Sequence, residues 1–126
     1  MKISLTHEES ENYFFNSICN ALDYVQSGYE LELTYNLSDY KKAMSKLENP
    51  CYEDVLMKIL KDGGILTMKD IGCEDSYTSS ININDVHQRV QNTNIRHLVN
   101  MINKNDDAVT GDVIIQQVFF NEIIFG

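Results

Sequence analysis

Four side chains in this sequence have types and spacing that could make a reaction centre: His97, Asp106, Asp107 and Asp112. An imidazole with three carboxylates a short loop away could hold a divalent cation, and a cation so held would polarise a substrate or activate a water. A zinc site needs about four ligands at converging positions, and no His-Glu-x-x-His pattern fixes them here. Helix capping explains the acids more simply, so the reading is that these residues are structural, with no metal and no cofactor. Asn103–Asp112 (NKNDDAVTGD) has a faint likeness to a calcium loop but lacks the glycine and the closing glutamate that loop requires. His7 and His87 have no ligand spacing. Cys19 lies on an apolar helical stripe and reads as core. Cys51 falls in a helix's first turn, where the dipole lowers a thiol pKa and Glu53 and Asp54 raise it again. No Gly-x-Ser-x-Gly elbow, phosphate loop or dinucleotide fingerprint occurs. Nothing in the sequence argues positively for an enzyme.

Composition bounds the alternatives. At 126 residues and 43% hydrophobic, with seven Tyr and five Phe, the chain has the size of one domain with a real core. Three widely spaced cysteines with no Cys-x-x-Cys pair argue against a disulfide framework and for a reducing compartment. With no signal-peptide pattern and no apolar run of membrane-spanning length, the expectation is a cytoplasmic protein. The net charge of −9 is uneven: −6 over residues 1–40, +2 over 41–69 and −5 over 70–126. An acidic chain with one mildly basic island repels nucleic acid at long range.

The elements that must position these groups follow from periodicity. Thr6 with Glu9 predicts a capping box opening a helix whose stripe is Phe14, Ile18, Ala21, Leu22 and Val25, widened by Phe15 and Cys19 and ended by Gly28. Tyr29 to Tyr35 alternates as a half-buried strand. Ser38 is expected to cap a helix carrying Tyr40, Ala43, Met44 and Leu47. Asn49–Pro50 is expected to open another, with Val55, Leu56, Ile59 and Leu60 inside, Met57 outside and Gly63–Gly64 at its end. Residues 65–71 and 77–83 read as strands joined by a hairpin turn bearing Glu74 and Asp75. Asn84 or Asp85 and then Thr93 are expected to cap two further helices, the second with Ile95, Leu98, Val99 and Ile102 at helical spacing. The predicted class is α+β: a three-stranded antiparallel sheet with helices packed on one face, as a single domain over 1–126. The element order in 7–83 is the order of a winged-helix domain, followed by C-terminal helices, with no residue motif behind the likeness. In that reading residues 50–61 would be the recognition helix, and Glu53 and Asp54 would oppose phosphate contact.

From Val113 the sequence (VIIQQVFFNEIIFG) is its densest apolar run, without a clean wet face. It reads as a helix around which the rest packs, a central strand being the rival. Ile123, Ile124 and Phe125 carry more apolar surface than one wet-sided helix needs, so they are expected to form a partner surface, most simply a homodimer contact. The functional expectation is a small acidic protein-binding or adaptor protein. The alternatives are a winged-helix-like regulator or DNA-mimicking inhibitor, and then a metal-dependent enzyme built on His97 and Asp106, Asp107 and Asp112.

Overall fold

The structure is a computed structural model that describes residues 3–72, 77–105 and 107–126. Helix α1 (His7–Tyr29) opens on the expected capping box: Glu9 N–H donates to Thr6 Oγ1 at 3.1 Å, and Thr6 N–H donates to Glu9 Oε1 at 2.9 Å. Phe14, Ile18, Ala21, Leu22 and Val25 are all buried, as their spacing requires. Cys19 is exposed and Phe15 only half-buried, so the stripe is narrower than predicted. Position 19 lies about 100° round the helix from Ile18, off the side where the core is built. The helix also runs past Gly28, and Glu30 takes the left-handed conformation (φ 54°) that ends it. Tyr29 is kept in the last turn by its hydroxyl, which donates to Asp112 Oδ2 at 2.6 Å.

Strands β1 (Leu31–Tyr35), β2 (Leu66–Asp70) and β3 (Ser79–Ile81) form one antiparallel sheet in the order β1-β2-β3. Leu31, Leu33, Leu66, Met68 and Ile81 point inward and are buried. On the wet face Glu32 pairs with Lys69 and Thr34 with Thr67, and Thr67 and Ser80 share a 2.7 Å hydroxyl contact. All three strands are shorter than the apolar runs that predicted them, and Ile65 and Ile71 at the ends of β2's run are exposed. Side chains alternate across a strand, so burying Leu66 and Met68 turns 65 and 71 to the other face. Cys73, Glu74 and Asp75 lie outside the described residues.

The caps correct several boundaries. Helix α2 (Leu37–Ser45) is capped by Asn36, not Ser38, and Met44 on it is exposed. Helix α3 (Tyr52–Lys61) begins after Cys51, whose N–H donates to Asp54 Oδ2 at 3.1 Å; Asn49 is a left-handed turn residue before it. Met57 is buried beside Val55, Leu56, Ile59 and Leu60, and Gly63 (φ 92°) closes the helix as expected. Asn82 caps α4 (Ile83–Val90), and Asn94 caps α5 (Ile95–Ile102), leaving Thr93 buried in the connection. In α2, α4 and α5 an amide side chain earlier or later than the predicted cap accepts a free N–H of the first turn.

Helix α6 (Ala108–Phe120) settles the character of the apolar run: it is helical, begins a turn before Val113 and stops at Phe120. Ile114, Ile115, Val118 and Phe119 are fully buried, together with Thr110, Gly111 and Gln116. It packs mainly along α1, where Gly111 lets the backbones approach: a Cβ built there would lie 2.9 Å from Ala21 Cβ and 3.2 Å from the Ser17 carbonyl. Buried residues of all nine described elements join one hydrophobic cluster, with helices on the inner face of the sheet. The fold is α+β.

Candidate functional site

Of the four residues that suggested a metal centre, the three described ones, His97, Asp107 and Asp112, form no metal-holding group. His97 Nδ1 lies 3.0 Å from Thr110 Oγ1, to which Asn100 Nδ2 also donates at 3.3 Å. Asp107 caps α6, accepting from Thr110 N–H at 3.0 Å. Asp112 faces the other way, taking the Tyr29 hydroxyl and, at 2.8 Å, Gln116 Nε2. Asp106 lies outside the described residues. Among the described residues no group of three or more His, Cys, Asp or Glu is placed to hold a metal ion.

The chain's end folds back on its own helix. Gln116 is 1% exposed, and its Oε1 accepts from the N–H groups of Ile124 (2.9 Å) and Phe125 (2.8 Å). Its Nε2 also donates to the Phe125 carbonyl at 3.2 Å. Phe125 stacks on Tyr29 (centroids 4.9 Å apart) and meets the edges of Tyr77 and Phe120. Of the three predicted contact residues, Ile124 and Phe125 are therefore half-buried by their own chain, while Ile123 remains 50% exposed. The buried Asp112–Tyr29–Gln116 network explains why two of the segment's polar residues sit inside. Burial, and then the bond to Asp112, push the Tyr29 hydroxyl well above its ordinary pKa.

The predicted recognition helix is acidic where a base-reading helix needs donors, with Glu53 and Asp54 in its first turn. Half of the six island lysines are turned to the protein's own acids. Lys58 and Lys46 converge on Asp62 (3.0 and 3.3 Å), and Lys61 reaches Glu11 at 3.4 Å. The Cys51 thiol is raised above its ordinary pKa. The backbone bond from Asp54 lowers it, but that is outweighed by the Asp54 side chain, desolvation and neighbouring carboxylates. Burial and Glu53 push Cys19 up to about 11. Neither thiol is an activated nucleophile.

Two features went unread in the sequence. Glu11, half-buried on α1, binds His87 Nε2 through Oε2 at 2.6 Å while its other oxygen takes Lys61, and His7 stacks flat on His87 (3.8 Å, 6°). Burial raises the Glu11 carboxyl, but the bonds from His87 and Lys61 outweigh it and hold it below its ordinary value. Nothing in the sequence spacing joins residues 11 and 87. The second feature is the outer side of α5. Leu98 and Met101 point inward, which turns Ile95 (43% exposed), Val99 (41%) and Ile102 (48%) out as a ridge at i, i+4, i+7. The periodicity had grouped these three with Leu98 at helical spacing. Beside the ridge runs a cleft of about 700 Å³ between α1 and α5, walled by Tyr13, Phe15, Asn16 and Cys19 of α1 and by Met101 and Ile102. A signal for this face was present: residues 86–105 are the longest stretch without a carboxylate in a chain holding nineteen.

No protein-family model, curated protein or solved structure matches the chain. The winged-helix likeness therefore rests on the order of elements alone, and fold likeness of that kind carries no function.

Proposed function

We propose that this is a protein-binding protein acting through the outer face of α5, and that the surface it meets is the same face of a second copy. The observation that carries this is the ridge of Ile95, Val99 and Ile102, three large aliphatic side chains 41–48% exposed in one line. Contiguous apolar surface of this kind marks interaction sites, whereas singly scattered apolar residues need no explanation. A ridge and a cleft lined by both apolar and amide side chains lie side by side on this face. A two-fold axis between them would seat each copy's ridge in the other's cleft, the self-complementary arrangement an isologous dimer needs. Charge favours the same face. Two chains of −9 repel through their carboxylates, and residues 86–105 have none, so this face escapes that repulsion. The tail supports the reading less, since Gln116 and the Tyr29 ring already occupy Ile124 and Phe125.

The test is sedimentation velocity from low to high micromolar concentration on the wild type and on Val99→Lys. The wild type should shift toward dimer with concentration. Val99→Lys, changed at an exposed position, should remain monomeric with an unaltered melting curve. A wild type that stays monomeric throughout would remove self-association from the reading.

A further inference from the structure

On the side of α1 that bears Glu11 lies a cleft of about 310 Å³ between α1, α3 and the turn joining α2 to α3. Its floor is apolar, made by Phe15, Leu47, Pro50 and Met57, and its rim carries charges of both signs. Glu11, Glu48 and Asp54 supply carboxylates; Lys58 and Lys61 supply ammonium groups. Asp54, Lys58 and Lys61 follow one another at i, i+4 and i+7 on α3, so the carboxylate sits at one end of the helical row and the ammonium groups at the other. Lys58 and Lys61 each hold one acid, Asp62 and Glu11, which leaves donors on both, since an ammonium has three. Glu48 has no ion pair or hydrogen bond among the described residues.

We infer that this cleft binds a small zwitterion with an apolar side chain, of the size and chemistry of a free hydrophobic α-amino acid. A simple anion would meet the carboxylates of Glu48 and Asp54, and a simple cation the ammonium groups of Lys58 and Lys61, so each would be repelled as well as attracted. A molecule carrying both charges would set its ammonium toward Glu48 and Asp54 and its carboxylate toward Lys58 and Lys61, Glu11 being already held by His87 and Lys61. Its apolar side chain would cover the floor that half-buried Phe15, Leu47 and Pro50 leave open to water. The volume is at the lower end of ligand pockets, which span about 300–1,000 Å³, and suits a ligand of about a dozen heavy atoms. This cleft shares Asn12 and Phe15 with the cleft beside the α5 ridge, and its other lining residues are its own.

The experiment is an NMR titration of the full-length wild type with L-phenylalanine. It is run beside phenethylamine, which lacks the carboxylate, and 3-phenylpropionate, which lacks the ammonium. The expected result is saturable movement of the Met57 methyl and the Lys58 side-chain signals with phenylalanine, and at least tenfold weaker binding of both half-molecules. Glu48→Gln, at an exposed unpaired position, should weaken phenylalanine binding severalfold with unchanged melting. No saturable shift up to tens of millimolar phenylalanine would overturn the inference. So would a half-molecule that binds as well as phenylalanine, which would show a site for one charge only.

Discussion

Gly111→Ala is the substitution for which sequence and structure give opposite expectations. Glycine inside a helix costs about 1 kcal/mol relative to alanine, so on propensity alone the change would stabilise α6. In the fold its new methyl would lie 2.9 Å from Ala21 Cβ and 3.2 Å from the Ser17 carbonyl oxygen. Carbon atoms pack best about 3.5–4.0 Å apart, so α1 and α6 must separate by several tenths of an ångström along their most extensive contact. Overpacking of this kind costs roughly 1–3 kcal/mol, which leaves a net loss of about 0–2 kcal/mol. That range is too near zero to decide the matter alone, and a double-mutant cycle decides it. Ala21→Gly alone should cost about 1–2 kcal/mol, from helix propensity and a lost buried methyl. In the double variant the methyl–methyl clash is gone, although the Ser17 contact remains. The double variant should therefore exceed the sum of the single effects in stability by about 1 kcal/mol or more, beyond the few tenths usual for independent sites. Urea denaturation of the four proteins measures it. Additivity within about 0.5 kcal/mol would refute close packing of α1 on α6 at this point.

Gln116→Leu should cost about 2–4 kcal/mol, since it removes bonds to Asp112, Ile124 and Phe125 and leaves a buried carboxylate short of a donor. It should also release the tail, read as faster amide exchange at Ile124 and Phe125; unchanged exchange there would contradict the clamp. The pH dependence of Glu11→Gln follows from a carboxyl whose folded pKa lies below its ordinary 4.5. Such a group adds stability above that value and loses it as pH falls through the folded pKa. The stability gap between wild type and Glu11→Gln should be full at pH 6 and shrink well below pH 4.5, and a gap equal at pH 6 and pH 3 would count against the Glu11 pairing.

What could be read from the sequence was set by local physics. The Thr6–Glu9 box, the Phe14–Val25 stripe, the alternation around Leu31 and Leu33 and the stop at Gly63 depend on neighbours within a few residues, and each was legible. Non-local packing was not. Gly111 shows no sign in sequence that Ala21 faces it, and Glu11 none that His87 does. The ridge on α5 was not legible for a related reason: Ile95, Val99 and Ile102 share helical spacing with Leu98, and only the packing of the helix decides that Leu98 and Met101 go inside. The fold-back of the tail was illegible in the same way. Its apolar excess was visible, but the buried Gln116 that ties two of its backbone amides reads in sequence as a wet position. Cys19 and Met57 changed places because each sits at the margin of its stripe, where the neighbouring element decides burial.

The most direct test of the binding face is to follow the side-chain methyl signals of Ile95, Val99, Ile102 and Ile123 by NMR as the wild-type protein is diluted from high to low micromolar concentration. If α5 is the contact, Ile95, Val99 and Ile102 will shift together along one binding curve while Ile123, equally exposed on the tail, stays in place. Movement of Ile123 with a stationary α5 would return the interface to the chain's end and contradict the proposal.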